Sequence, residues 1–302
     1  MKFIEITKKT KIDFIGFRNK TFIFSLVLVI LGLVSFTMVA LGKANMSVDF
    51  TGGTQLQVRF NEQVTIGELR KVLTDGNMHD IQIQEVSGTR EFFIKTKQSD
   101  TEKEKIQDKV NTILSKGMKD KGFQILGSNM VGSTVGQALK KNAIIAIAVS
   151  LVCIIIYIAW RFTFIFGVAA TIATLHDVLA LLGIFYILNR EMNLLFITAL
   201  LTIAGYSLTD TVVVFDRIRE NMAKMKSRSD LGNVINRSIN EVLSRTLITS
   251  LTTLLAIGAI LAFGGEVLFD FSFALFIGVF IGTYSSIFVA SPLIFLWRKK
   301  VR

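Results

Sequence analysis

Apolar positions along the chain follow two regimes. Six runs of about 18 or more mostly apolar residues lie near 21–41, 142–160, 163–188, 193–215, 246–263 and 268–297. As α-helices rising about 1.5 Å per residue, each is long enough to cross roughly 30 Å of hydrocarbon. Between the first two runs, residues 42–141 change period. TQLQVRF alternates as a strand, and TIGELRKVLTDG is an amphipathic helix opened by Thr65 as N-cap with Glu68 at N3. DIQIQEV and EFFIKTK read as strands joined by an SGTR turn, TEKEKIQDKVNTILSKGM as a helix and FQILGSNMV as a closing strand. The order β-α-β-β-α-β predicts a ferredoxin-like α+β domain, two helices on one face of an antiparallel sheet, with an irregular α+β insert as the alternative. Ahead of the first run, KIDFIGFRNK predicts a short interfacial helix with Ile12, Ile15 and Phe17 towards lipid.

Composition agrees with a membrane α-helical bundle: 51% of the 302 residues are hydrophobic and there is one proline. Basic residues exceed acidic ones by 34 to 23, but they flank the apolar runs, so they report orientation rather than a nucleic-acid footprint. Residues 1–20, a loop at about 216–245 and the tail WRKKVR carry most of that charge, which places both termini and that loop in the cytoplasm and residues 42–141 outside it. The first run has no small-residue cleavage pattern and reads as an uncleaved anchor. Cys153 stands alone, so no disulfide or cysteine metal site forms within the chain. No phosphate-binding GxxxxGK[ST] occurs, and His79 and His176 are not in a zinc-binding HExxH, so no cofactor and no metal are expected and energy must come from an ion gradient.

Ionisable residues within the runs carry the candidate chemistry. A charge at mid-bilayer costs about 2.5–3.5 kcal/mol on insertion scales. Asp210, in TALLTIAGYSLTDTVVVF, is the clearest, and steps of four back along the helix give Tyr206, Thr202 and Thr198, a polar stripe suited to a seam between helices. The next run opens with Arg245 and continues Thr246, Thr249, Thr252 and Thr253, so the two stripes are expected to face each other and Arg245 to reach Asp210 as an ion pair, or else to anchor at the interface. Asp177 lies mid-run with Thr174, Thr171 and Gly167 behind it; the adjacent His176 is either a relay or a packed hydrogen-bond partner. Asp210 either titrates or only glues helices together. A carboxylate whose guanidinium neighbour moves would change its proton affinity, which makes Asp210, Arg245 and Asp177 a candidate proton relay with His176, Tyr206 and Thr202 as helpers. In the last run Ala274, Gly278, Gly282, Ser286 and Ala290 recur every four residues and predict close helix contact, while Asp270 reads as its N-cap. Asp49, Phe50, Gly52 and Gly53 of VDFTGGT form a turn between membrane and domain, or a hinge.

Taken together, VDFTGGT, LHDV, GYSLTDTVVVFDRIREN, SRTLITSLTT and DFSFALFIGVFIGTYSSIFVASPL resemble the SecD/SecF family of protein-export membrane proteins, relatives of the resistance-nodulation-division transporters, over essentially the whole chain. The resemblance implies that the Asp of GYSxxDT, here Asp210, and the Arg of SRT, here Arg245, conduct protons. The family's usual Asn before that Asp is Thr209 here. It also implies a complex with SecD, YajC and the SecYEG channel in the bacterial inner membrane. Unfolded preprotein would be drawn outward by the proton-motive force after ATP-driven SecA has begun the work, with sodium as the alternative coupling ion. The membrane stripes alone fit equally a half-transporter exporting small lipophilic molecules, although a compact outer domain of about 100 residues suits a moving clamp for chains better than a drug-binding vestibule; a passive scaffold is the third reading.

Overall fold

A computed structural model describes residues 10–78, 81–86, 89–96, 103–224 and 231–300; His79 lies outside them. The chain divides into two compact units, Met46–Ile145 and the rest.

The smaller unit has the expected order: β1 (Gly53–Phe60), α3 (Ile66–Asp75), β2 (Ile81–Glu85), β3 (Glu91–Thr96), α4 (Lys103–Gly117) and β4 (Phe123–Val131), preceded by a single helical turn, α2 (Val48–Thr51). The strands align β2-β3-β1-β4, every neighbouring pair antiparallel, which is the ferredoxin-like sheet. Period-2 alternation in β1 turns Leu56, Val58 and Phe60 inward, where they meet Leu69 and Leu73 of α3 and Val110 and Leu114 of α4. Each fully buried side chain of this size contributes about 1.5–3 kcal/mol of transfer free energy. Thr65 and Glu68 make the capping box: the Glu68 N–H donates to Thr65 Oγ1 at 3.3 Å and the Thr65 N–H to Glu68 Oε2 at 2.9 Å.

Among the described residues six helical spans are long and apolar enough to cross a membrane: α1 (Arg18–Ala40), α5 (Ser133–Arg161), α6 (Phe164–Ile187), α7 (Leu194–Ala223), α8 (Leu231–Phe263) and Leu268–Trp297. The last is not one helix. It comprises α9 (Gly265–Ser285), a π-helical turn (Ser286–Ala290) and α10 (Ser291–Lys300). Pro292, the only proline, has no N–H for the carbonyl of Phe288 four residues back. That carbonyl accepts a long bond from Thr21 Oγ1 of α1, at 3.5 Å, and the wider turn absorbs the mismatch. α5 begins nine residues before its apolar run because a polar helical extension, STVGQALKK, carries no hydropathy signal.

Three further expectations are corrected. Residues 11–17 form a turn leading into α1, not an interfacial helix, and Ile15 is buried. The strap is held by asparagines of α8, with the Ile12 N–H donating to Asn240 Oδ1 at 3.1 Å and the Ile15 N–H to Asn236 Oδ1 at 3.0 Å. The loop expected at 216–245 is largely helix, since α7 runs to Ala223 and α8 starts at Leu231. Charges at i, i+3 and i, i+4 support those extensions through Arg217–Glu220, Lys224–Glu220 and Arg237–Glu241. Asp270 is not an N-cap: it lies within α9 and pairs with Arg190 at 3.3 Å.

Close helix contact through small residues is as the sequence predicted for Gly278 and Gly282. A Cβ on Gly278 would collide with the Ile203 side chain of α7, and one on Gly282 would lie 3.0 Å from Ser207 Cβ. Ser286 is buried, its hydroxyl donating to Thr283 O at 3.0 Å. A second such seam joins α1 to α6, where a Cβ on Gly183 would lie 2.8 Å from the Gly32 nitrogen.

Candidate functional site

Asp177, at the middle of α6, is completely buried, and its carboxylate is held from three helices. Oδ2 accepts from Ser207 of α7 and from Ser285 of α9, the latter at 2.8 Å. Oδ1 lies 2.9 Å from Nδ1 of His176. His176 is equally buried, and its Nε2 has no partner among the described residues.

Asp210 of α7 is 4% exposed and much less satisfied. Among the described residues its one hydrogen bond is a long one from Ser250 Oγ of α8, at 3.5 Å. Ser250 is itself shared, donating to Thr246 O at 2.9 Å and lying 2.7 Å from Thr283 Oγ1 of α9. Two hydroxyls nearby in sequence, Tyr206 Oη one turn before Asp210 and Thr246 Oγ1 one turn before Ser250, are buried without a partner among the described residues. Buried polar atoms in this condition are the mark of a hydrated path or of a site completed by another molecule.

Arg245 and Asp210 do not form the expected ion pair among the described residues. Arg245 is exposed on α8. The expected seam between two polar stripes is also absent. Thr198, Thr202, Thr249 and Thr252 are exposed, and their hydroxyls donate to carbonyls three or four residues back on their own helices. The reason is angular: each step of four residues turns about 40°, so Thr198 stands about 120° around α7 from Asp210. The buried face of α7 instead runs through Ala199, Ile203, Ser207 and Asp210.

Ser207, Ser250, Thr283 and Ser285 are site residues that sequence reasoning passed over. The available signal was the i, i+3 spacing of Ser207 and Asp210 and the small-residue stripe of α9, which brings Gly282 against Ser207. Thr283, Tyr284 and Ser285 each bond a different buried group, so one turn of α9 holds both carboxylate sites.

Asp49, Phe50, Gly52 and Gly53 lie apart from these carboxylates in sequence and build a joint within the α+β unit. Ser47 caps α2 by accepting from the Asp49 N–H at 3.2 Å, and Phe50 is buried. Gly52 and Gly53 have φ of +71° and +125°, and a Cβ on Gly52 would stand 2.8 Å from Ser133 Cα at the start of α5. Both properties that the sequence offered as alternatives, positive φ and close approach, are needed here.

Among the described residues no cluster of His, Cys, Asp and Glu has the makings of a metal site. Comparison with known proteins gives a consistent result. Residues 109–300 match the model for "Protein export membrane protein SecD/SecF, C-terminal", and residues 44–64 match that for the "SecD/SecF GG Motif". The protein translocase subunit SecF of Thermodesulfovibrio yellowstonii is 50% identical over 297 residues, 98% of each chain. The protein translocase subunit SecDF of Thermus thermophilus is 40% identical over 262 residues, 85% of this chain and 35% of that one. A crystal structure of SecDF from the same organism, described as a translocon-associated membrane protein, has a TM-score of 0.85 at 37% identity. It is matched over 96% of this chain and 39% of its own length, so this chain spans about two fifths of that longer one.

Proposed function

The chain belongs to the SecD/SecF family of protein-export membrane proteins, and from that premise we propose that it is the SecF-type half of a proton-driven machine that completes the export of unfolded preproteins. It is a multi-pass membrane protein whose relatives are protein translocase subunits. The reading rests on Asp210, a carboxylate buried among membrane helices that among the described residues has one long hydrogen bond and, a turn back on α7, a Tyr206 hydroxyl with no partner. The three bonds to Asp177 show how much more fully a buried carboxylate in this bundle can be satisfied.

In this account Asp210 takes a proton from the outer side and Arg245 responds to the loss of negative charge. The Ser250–Thr283 bridge transmits the change to α8 and α9. Release to the cytoplasm restores the ion. Each proton moving down 100 mV supplies about 2.3 kcal/mol, so several are needed for one large displacement of the α+β unit. Both termini are cytoplasmic and the α+β unit lies outside the inner membrane, as the basic flanks require.

The partner is a SecD-type chain. Supporting it are the fused SecDF relatives and an exposed face bearing Thr198, Thr202, Gly205 and Thr209 on α7 with Arg245 and Thr249 on α8. Small and hydroxyl side chains of this kind pack helices closely in lipid. The SecYEG channel, YajC and, at an earlier stage, SecA complete the assembly. No cofactor is required, and protons rather than sodium are the coupling ion. The test is proton entry into proteoliposomes containing this chain, its SecD-type partner and a translocating polypeptide, followed with a pH-sensitive dye. Wild type is expected to acidify the lumen in sodium-free buffer and Arg245→Met to lose at least about 90% of that flux; flux that requires sodium, or survives in Arg245→Met, overturns the reading.

A further inference from the structure

The Asp210 path leaves one buried titratable pair unused. His176 bonds Asp177 through Nδ1, while its other nitrogen is enclosed and has no protein partner among the described residues. An unmade bond at a buried nitrogen costs about 1–3 kcal/mol, and a purely structural partner for Asp177 would not need that nitrogen at all. Beside the imidazole lies the ring of Tyr284, centroids 6.2 Å apart. Tyr284 is clamped by Phe24 and Phe288, with centroids 5.5 and 5.4 Å away. Its hydroxyl lies 3.0 Å from Ser25 Oγ and donates to Thr21 O at 2.8 Å, both on α1. Thr21 is in the first turn of α1, next to Arg18 and Lys20, so the polar groups run from the middle of α6 to the basic end of α1. The groups bonded or stacked on the pair are Ser207 from α7 and Tyr284 and Ser285 from α9; no Lys, Arg or Glu bonds either member among the described residues.

We infer that Asp177, His176 and Tyr284 form a second proton branch, which leads from the interior of the helical unit along α1 to its basic end. It deepens the proton-driven reading above and rests on it. A proton held on Asp177 passes to His176 Nδ1 while the ring releases one from Nε2, so the imidazole turns over without net change of charge. In this branch a bridging water carries that proton to the Tyr284 hydroxyl, which turns from Thr21 O to pass its own proton to Ser25 Oγ while Ser25 gives up one to water at the end of α1. Ser207, which bonds Asp177, stands three residues before Asp210 on the buried face of α7. Ser285 and Thr283 hold the two carboxylate sites to the same turn of α9.

The experiment compares His176→Gln, Tyr284→Phe and Asp210→Asn in proteoliposomes of the complex with its SecD-type partner, measuring gradient-driven export, its pH profile and its rate in heavy water. Glutamine still donates to Asp177 but cannot shuttle a proton, and phenylalanine keeps the ring packing while losing only the hydroxyl. The branch requires both to slow export about tenfold or more, with an altered pH profile and solvent isotope effect and with partner co-purification intact. If His176→Gln fails to assemble, Tyr284→Phe decides alone, and a wild-type rate and pH profile there overturn the branch. Normal rates in both alongside an inactive Asp210→Asn overturn the branch only; normal export in Asp210→Asn overturns the proton-driven reading itself.

Discussion

Asp210 and Asp177 are both carboxylates in apolar helices, yet their surroundings differ. Among the described residues Asp177 makes three bonds and Asp210 one long one. Loss of charge at the two is therefore expected to behave differently. Asp177→Asn breaks a buried network that ties α6 to α7 and α9, and a detergent-solubilised complex should lose thermal stability, by an amount on the order of 3 kcal/mol. Asp210→Asn should leave the melting temperature within a degree or two while abolishing gradient response. Both aspartates were legible in the sequence because an ionisable residue within an apolar run stands out. His176 was legible as a hydrogen-bond partner of Asp177, but the serine partners were not, since serine and threonine are ordinary in membrane helices and Ser207 and Tyr206 differ by only about 100° of rotation. At Gly52 the backbone requirement is equally local: alanine there would adopt φ of +71° and meet Ser133. Gly52→Ala should speed hydrogen exchange in β1 and β4 by about tenfold, a strain cost of 1–2 kcal/mol.

At the level of elements, the six spans and the β-α-β-β-α-β order could be read directly, because period and length are properties of the sequence itself. Where the helices α5 and α8 begin, where α7 ends and why the last span breaks could not, because polar helical turns and a π turn leave the hydropathy profile unchanged. The cap of α3 was legible down to its two residues. The Thr65 N–H, then the Thr65 hydroxyl and then Lys121 hold the Glu68 carboxyl below the usual glutamate range. The contribution of this charged cap to folding is thus complete above the unfolded value of about 4.3 and is lost as pH falls through the lowered folded value. Hydrogen exchange of α3 amides in the whole chain should rise over that acid window, and Glu68→Gln should remove the dependence. On α9, Gly282→Val should drive α7 away from α9 at Ser207 and weaken both carboxylate sites together. Loss of proton flux without loss of membrane insertion would be the sign.

For the whole molecule, the claim is that an under-bonded carboxylate in one membrane helix drives work on a polypeptide through a partner seated on the exposed α7–α8 face. Thr202→Cys should cross-link to a cysteine on the SecD-type chain, while Cys153 on α5 should not. Resemblance in the sequence named the cargo and the machinery; residue pattern by itself left a small-molecule exporter and a scaffold equally open, because polar stripes in membrane helices do not specify what moves. The most direct measurement loads vesicles with a half-translocated preprotein and follows its completion with and without a proton gradient, for wild type and Asp210→Asn. The account predicts that the gradient accelerates completion in wild type and has no effect in the variant. Equal acceleration in both would contradict it.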